Sequence, residues 1–268
     1  DIFFRPESKS QLTDFLNTIR KKNYKIFILG AGSNTLIRDS GVTGVVIKLG
    51  SKFSNIKLLS KDIIEVGAST LDRKVSDFAK NNNIGGMEFL ACIPGSIGGA
   101  VIMNSGCYGS DISKILLSIK IIDDKGKERE LKKEQINFFY RGTDIPENFI
   151  ILSVVLKGIV SSKKLIEEKQ ESLLLQKKAS QPSQIKTGGS TFKNTNGKKA
   201  WALIKETGCD KLFIGDAKIS QKHCNFFVNE GRAKTEDIEK LIEKVKTEVK
   251  NKTGISLELE IKIIGDEK

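Results

Sequence analysis

Five glycines fall within residues 93–109, set among apolar residues rather than the polar ones of a solvent loop. The run reads Ile93-Pro94-Gly95-Ser96-Ile97-Gly98-Gly99-Ala100 and continues through Met103-Asn104-Ser105-Gly106 to Tyr108-Gly109. Glycine loses more conformational freedom on folding than any other residue, so it is kept where backbone must turn sharply or approach something closely. Two readings follow. In one, the backbone lies against a ligand and turns its amides toward an anionic group such as a cofactor phosphate. In the other, the glycines form a packing bend within the protein.

The length of 268 residues predicts two or three packed units. Apolar residues at 38% suffice for real cores, and charged residues at 29% favour a soluble chain. No stretch approaches the ~18–20 apolar residues that span a bilayer. The longest, residues 149–156, contains Ser153, stops at Lys157 and reads as a buried strand. Residues 1–20 lack the apolar segment of a signal peptide. The chain starts at Asp1 rather than Met, so a preceding segment is expected. Cys92, Cys107, Cys209 and Cys224 show no C-x-x-C spacing, and His223 is the single histidine. Isolated thiols in a reducing, cytoplasmic compartment are expected, with no metal site. The formal charge of +12 invites a nucleic-acid partner, but only seven of the 45 basic residues are Arg. The lysines are also spread along the chain, so no nucleic-acid or membrane partner is expected.

Leu12, Phe15, Leu16 and Ile19 recur at helical spacing and predict a helix over residues 8–22. Strands are predicted at 25–29, 45–49, 62–66, 115–122 and 149–156, with a turn at Asp124-Lys125-Gly126. Leu71, Val75, Phe78 and Ala79 mark a second helix. Residues 161–180 form a charged helical stretch suited to bridging two domains. A further helix is predicted from Thr235 as cap, with Glu236 and Asp237 in its first turn. Its face is Ile238, Leu241, Ile242, Val245 and Val249. A last strand over 256–264 turns Leu257, Leu259, Ile261 and Ile263 inward and Glu258, Glu260 and Lys262 outward. The fold class is α+β.

Gly30-Ala31-Gly32-Ser33-Asn34 follows a predicted strand, but the sixth place of a G-x-G-x-x-G pattern is Thr35. Residues 36–49 read as a turn and a strand instead of the helix that pattern requires, which disfavours a Rossmann fold. A phosphate-facing turn and an ordinary tight turn both remain. Arg141 beside Tyr140 is either a carboxylate clamp or a surface residue stacked on a ring. Gly188-Gly189-Ser190-Thr191-Phe192-Lys193-Asn194 offers a hydroxyl, an ammonium and an amide on one short piece. No G-x-S-x-G elbow surrounds Ser190, so a hydrolase triad is poorly supported. His223 reads first as a satisfied local hydrogen-bonder, and Glu258 and Glu260 as a solvated face.

Together these segments resemble the UDP-N-acetylenolpyruvoylglucosamine reductase family of flavoenzymes. The resemblance runs in order through residues 29–36, 86–90 with 93–109, Tyr140-Arg141, 189–194, 222–226 and 257–265. It implies an FAD-binding region of the vanillyl-alcohol-oxidase-like type in two subdomains, residues 1–55 and 56–165. A substrate-binding domain would follow over 166–268. The cofactors implied are FAD and NADPH, and the substrate is a UDP-linked enolpyruvyl sugar. By the same resemblance FAD is held by Gly30, Ala31, Gly32, Ser33 and Asn34, and by Pro94, Gly95, Ser96, Gly98, Gly99, Asn104 and Gly106. Ser190 becomes the proton donor, with Arg141 and Glu260 around the substrate carboxylate. Tyr140, Lys193, Asn194 and His223 become substrate-binding residues, and a cytoplasmic monomer is implied.

Three departures accompany the resemblance. The Gly-Gly-containing segment usual before Phe3-Phe4-Arg5-Pro6 is absent, and Thr195 stands where a proline is common. No insert between residues 141 and 190 carries a substrate-covering Tyr, as in the branch lacking that loop. Another FAD-dependent oxidase of the same cofactor fold is the alternative, and a basic polyanion-binding module a weaker one.

Overall fold

The structure, a computed structural model, describes every residue except Lys21, Asn23, Asp124, Asn196 and Lys268. The chain divides into two compact units. The first comprises Asp1–Ala31 and Gly44–Gln176, the second Gly32–Thr43 and Lys177–Lys268.

In the first unit, Val45–Ile47 lies between Ile2–Phe4 and Ile26–Ile28, parallel to both. Parallel neighbours need a crossover, which the helix Lys9–Arg20 supplies. Its apolar face, Leu12, Leu16 and Ile19, is buried with Val45, Ile47, Phe53, Ile122 and Ile150. The predicted helix and strand are therefore present, while Lys21 of that helix lies outside the described residues.

A five-stranded antiparallel sheet forms the rest of this unit. Its order is Glu128–Lys132, Leu116–Ile122, Ile150–Lys157, Ile63–Gly67 and Ile56–Leu58. Ile150–Lys157 is central and largely buried, as its continuous apolar run requires. The helices Asp72–Asn81 and Ile97–Ile102 join this core through Val75, Ala79, Ile97, Ala100 and Val101. At the predicted hairpin, Asp123 Oδ1 accepts the Lys125 and Lys127 amides and Gly126 has φ +79°. Asp124, the first residue of that predicted turn, lies outside the described residues.

The charged stretch forms the helix Lys163–Ser180, and the boundary between the units falls near its end. Its buried Gln170 donates to Ser76 Oγ at 2.7 Å, which in turn donates to Met87 O at 2.9 Å. Such a chain leaves no interior polar group unpaired along it.

The second unit has a four-stranded antiparallel sheet ordered Lys186–Ser190, Phe226–Asn229, Ala217–Ile219 and Phe213–Ile214. The helices Ala200–Glu206 and Thr235–Thr253 share its core through Leu203, Ile204, Leu241, Ile242, Val245 and Val249. Residues 32–43 join this unit because Thr35–Ile37 pairs in parallel with Lys262–Ile264. Arg38 adds a two-pronged contact, Nε and Nη2 each 2.9 Å from the Glu239 carboxylate.

Two expectations need correction here. The helix cap is Lys234, not Thr235: the Asp237 carboxylate accepts the Lys234 amide at 2.9 Å. Thr235 is the first helical residue, and its hydroxyl donates to Ile37 O at 2.8 Å. The last strand is also shorter than 256–264, with a ladder only at Lys262–Ile264. Residues 257–260 instead face a short stretch that gives one bridge, Phe192 to Leu259. The predicted alternation nevertheless holds where it matters, since Leu257 and Ile261 are buried.

Candidate active site

In the first unit the two glycine-rich segments lie side by side. A Cβ on Gly30 would sit 2.8 Å from Ser96 Oγ and 3.9 Å from the Gly99 Cα. A Cβ on Gly98 would sit 3.0 Å from the Ala68 Cβ. The two segments thus approach this closely only because side chains are missing, and bare main chain is the kind of surface that an extended anionic cofactor lies against.

The geometry also refines which groups serve as donors. The amides of Ile97 and Gly98 donate to Thr70 O at 2.8 Å and Ala68 O at 3.0 Å. Gly98 therefore contributes shape, and its N–H is not a phosphate donor. Asn104 is turned inward as well. Its side chain donates to Phe139 O at 3.2 Å and accepts the Ser113 amide at 3.1 Å, at 7% exposure. Its backbone has φ +40°, a conformation that Asn tolerates better than most residues.

That inward amide ties the glycine run to the hairpin bearing Tyr140 and Arg141. The strands Phe138–Phe139 and Gly142–Thr143 pair directly, leaving Tyr140 and Arg141 as the two-residue turn. Thr143 Oγ1 adds a second tie to Ile102 O at 3.2 Å. Arg141 has φ +60°, which costs a non-glycine residue about 1–2 kcal/mol. Its guanidinium lies 5.2 Å from the Tyr140 ring centroid. Strain of this kind persists where neighbours over-determine it, commonly at functional sites.

Beneath the same run lies Asp72, fully buried, with neither carboxylate oxygen hydrogen-bonded. Burial pushes its carboxyl well above the ordinary 3.8, with the Gly95 backbone pulling weakly the other way. A raised folded-state pKa means that stability is complete below about pH 3.8 and is lost as pH rises toward the folded value. Asp72→Asn, which removes the charge but not the buried polar group, is accordingly expected to stabilise the fold more at pH 7 than at pH 4. The gain should shrink toward zero near pH 4, as read by chemical denaturation at the two pH values.

In the second unit Ser190 ends its strand opposite Phe226, after a register slip through Gly188 and Gly189. Gly189 has φ +84°, and a Cβ there would lie 3.7 Å from Ser33 O. On one edge the chain after Ser190 runs antiparallel to residues 258–260. Glu260 N donates to Thr191 O at 2.8 Å, and Lys193 N to Glu258 O at 2.8 Å. Asn34 Nδ2 donates to Glu260 O at 3.0 Å. One unit thus gathers Ser33, Asn34, Ser190, Lys193 and Glu260, which lie far apart in sequence.

Three other expected groups have structural partners. Lys193 Nζ is 3.6 Å from the exposed Glu258 carboxylate, so the two glutamates differ: Glu258 is ion-paired and Glu260 half-buried. Asn194 Oδ1 accepts the amide of Ala200, the first residue of its helix, at 3.0 Å. His223 Nδ1 accepts the Asn225 amide at 3.3 Å, and burial holds the imidazole below its ordinary 6.5. Its ring meets the edges of Phe226 and Trp201.

The glycine-rich main chain of Gly30, Gly98 and Gly99 lies in one unit, and Ser190, Lys193 and Glu260 share a pair of adjoining segments in the other. Residues 1–132 match the family model of an FAD binding domain. Residues 181–264 match that of the C-terminal domain of UDP-N-acetylenolpyruvoylglucosamine reductase. Proteins with that reductase's name include one from Pelagibacter ubique, 50% identical over 98% of this chain and 88% of its own length. One from Gluconobacter oxydans is 42% identical over 99% of this chain and 86% of its own. The crystal structure of UDP-N-acetylenolpyruvylglucosamine reductase from Thermus caldophilus superposes with a TM-score of 0.86 at 32% identity, covering 98% of this chain and 92% of that one. The chain belongs to the UDP-N-acetylenolpyruvoylglucosamine reductase family.

Proposed function

We propose that the chain reduces UDP-N-acetylglucosamine enolpyruvate to UDP-N-acetylmuramate with NADPH, through bound FAD, in the cytoplasmic phase of peptidoglycan synthesis. The observation that carries this reading is the gathering of Ser190 and Glu260 beside Ser33 and Asn34 in one unit. The glycine cradle of Gly30, Gly95, Ser96, Gly98 and Gly99 accepts the cofactor, in residues 1–55 and 56–165. Residues 166–268 bind the substrate.

Bound FAD would supply the hydride equivalent, drawn from NADPH. Reduction of the enol ether needs that hydride on the methylene carbon and one proton on the neighbouring carbon, so the overall reaction consumes NADPH and H⁺. The chain's own residues manage the charge and the proton. Arg141, permanently cationic, is the group suited to a carboxylate into which negative charge is delocalised. Glu260 shares that load in a hydrogen-bonding role, and the Ser190 Oγ–H delivers the proton. Tyr140, Lys193, Asn194 and His223 position the sugar nucleotide. Asn194 does so from beside the start of the helix Ala200–Glu206. The working form is a monomer with no nucleic-acid or membrane partner.

Steady-state turnover of FAD-loaded protein tests this reading. NADPH should be consumed only with the enolpyruvyl sugar present, at one UDP-N-acetylmuramate per NADPH. Consumption at the same rate without that sugar, accompanied by oxygen uptake, would point to an oxidase and end the proposal.

A further inference from the structure

Asn225 is 4% exposed, and its hydrogen bonds converge on the two residues that follow Ser190. Its Oδ1 accepts the Phe192 amide at 2.9 Å, and its Nδ2 donates to Phe192 O at 2.7 Å. Its backbone carbonyl accepts the Thr191 amide at 2.7 Å. The side-chain amide therefore imitates a peptide unit, pairing with Phe192 as a neighbouring strand would. The opposite edge of this stretch is taken by residues 258–260. Upstream of Ser190 the main chain is a glycine pair at a register slip, tied by the Thr187 hydroxyl, which accepts the Gly189 amide at 3.3 Å.

We infer that Asn225 is a positioning residue for Ser190: its amide fixes the Thr191-Phe192 main chain and so aims the Ser190 hydroxyl. This rests on the reading of Ser190 as proton donor. Asn225 touches no reacting atom in that reading. Its effect is confined to the step that needs Ser190 aligned, because a misplacement near 1 Å costs a catalytic step about a hundredfold.

The conservative variant Asn225→Asp separates this role from a merely structural one. A carboxylate keeps the acceptor toward the Phe192 amide but sets its second oxygen against Phe192 O, where the amide now donates across 2.7 Å. A protonated carboxyl restores that donor. Lone-pair repulsion and burial both favour the protonated form, moving its titration above the ordinary aspartate value. The charged or titratable groups around it are His223 and Cys224 on its own segment, and Lys193, Glu258 and Glu260 on the facing ones. All are shared with the parent protein, whose pH profile is the baseline.

The experiment measures the two half-reactions of the FAD-loaded enzyme from pH 5.5 to 8.5: flavin reduction by NADPH, and reoxidation by the enolpyruvyl sugar. In Asn225→Asp, reduction by NADPH should match the parent throughout. Substrate-dependent reoxidation should fall about a hundredfold at high pH and recover as pH is lowered. Asn225→Ala, which cannot restore the donor, should lose reoxidation without that recovery. An Asn225→Asp enzyme with parental reoxidation at every pH overturns the inference. So does one that loses both half-reactions together, or loses flavin. Ser190→Ala in the same assay keeps the two ideas apart. If it reoxidises normally, the donor assignment itself fails, whatever the Asn225 variants do.

Discussion

Ser190→Ala is expected to slow substrate-dependent reoxidation of the flavin by about 10²–10⁴-fold, the range typical of removing a general acid. Reduction by NADPH should proceed at the parental rate, because that half-reaction needs no proton from the chain. The structure gives this prediction its sharpness. Ser190 is half-buried at a strand end, its following residues are bonded on both edges, and Gly189 provides the bend that only glycine adopts easily. Removing one oxygen there leaves backbone, core and cradle untouched. Anaerobic rapid-mixing absorbance of each half-reaction is the measurement, and equal loss of both would remove the proton-donor role.

A second large effect is expected at the opposite end of the chain's chemistry. Gly30→Val should yield folded protein that retains little FAD. The added Cβ would stand 2.8 Å from Ser96 Oγ, and Ser96 is itself buried at 4% exposure, so its hydroxyl has little room to move aside. Overpacking of this kind costs about 1–3 kcal/mol. Relieving that contact moves the two glycine segments apart and misplaces the main chain offered to the cofactor, and a like loss in binding is about a 10–100-fold weaker Kd. Fluorescence titration of apoprotein with FAD reads it directly. Unchanged affinity would mean that the space between the two glycine segments does not hold the cofactor.

Much of the fold could be read from local pattern. The spacing of Leu12, Phe15, Leu16 and Ile19 corresponds to the helix Lys9–Arg20, and that of Ile238 to Val249 to the helix Thr235–Thr253. Both are long enough for a 3.6-residue period to stand out. The assignment of residues 32–43 to the second unit was hidden, because it depends on Thr35–Ile37 pairing with Lys262–Ile264 near the other end of the chain. No local signal reports a pairing of that range.

The site shows the same division. The glycine run and the order of the motifs announced a cofactor and a family. What the side chains do inside that frame was not visible. The Asn104 side chain, expected at the cofactor from the resemblance, also ties the run to the Tyr140-Arg141 hairpin. Asn225 carries the strand after Ser190, yet an amide imitating a peptide unit has no periodic signature. The only clue was its place beside His223 in the segment 222–226 that carries the resemblance. The positive φ of Arg141 was likewise invisible, since nothing in Tyr140-Arg141-Gly142 marks which residue takes the left-handed position.

Everything proposed for this chain depends on the transfer of reducing equivalents from bound flavin to an enolpyruvyl sugar. Single turnover addresses it most directly: holoenzyme reduced anaerobically with one equivalent of NADPH is mixed with UDP-N-acetylglucosamine enolpyruvate while the flavin band is followed. The oxidised band should recover fully without oxygen, with one UDP-N-acetylmuramate formed per flavin. A band that stays bleached until air is admitted would contradict it.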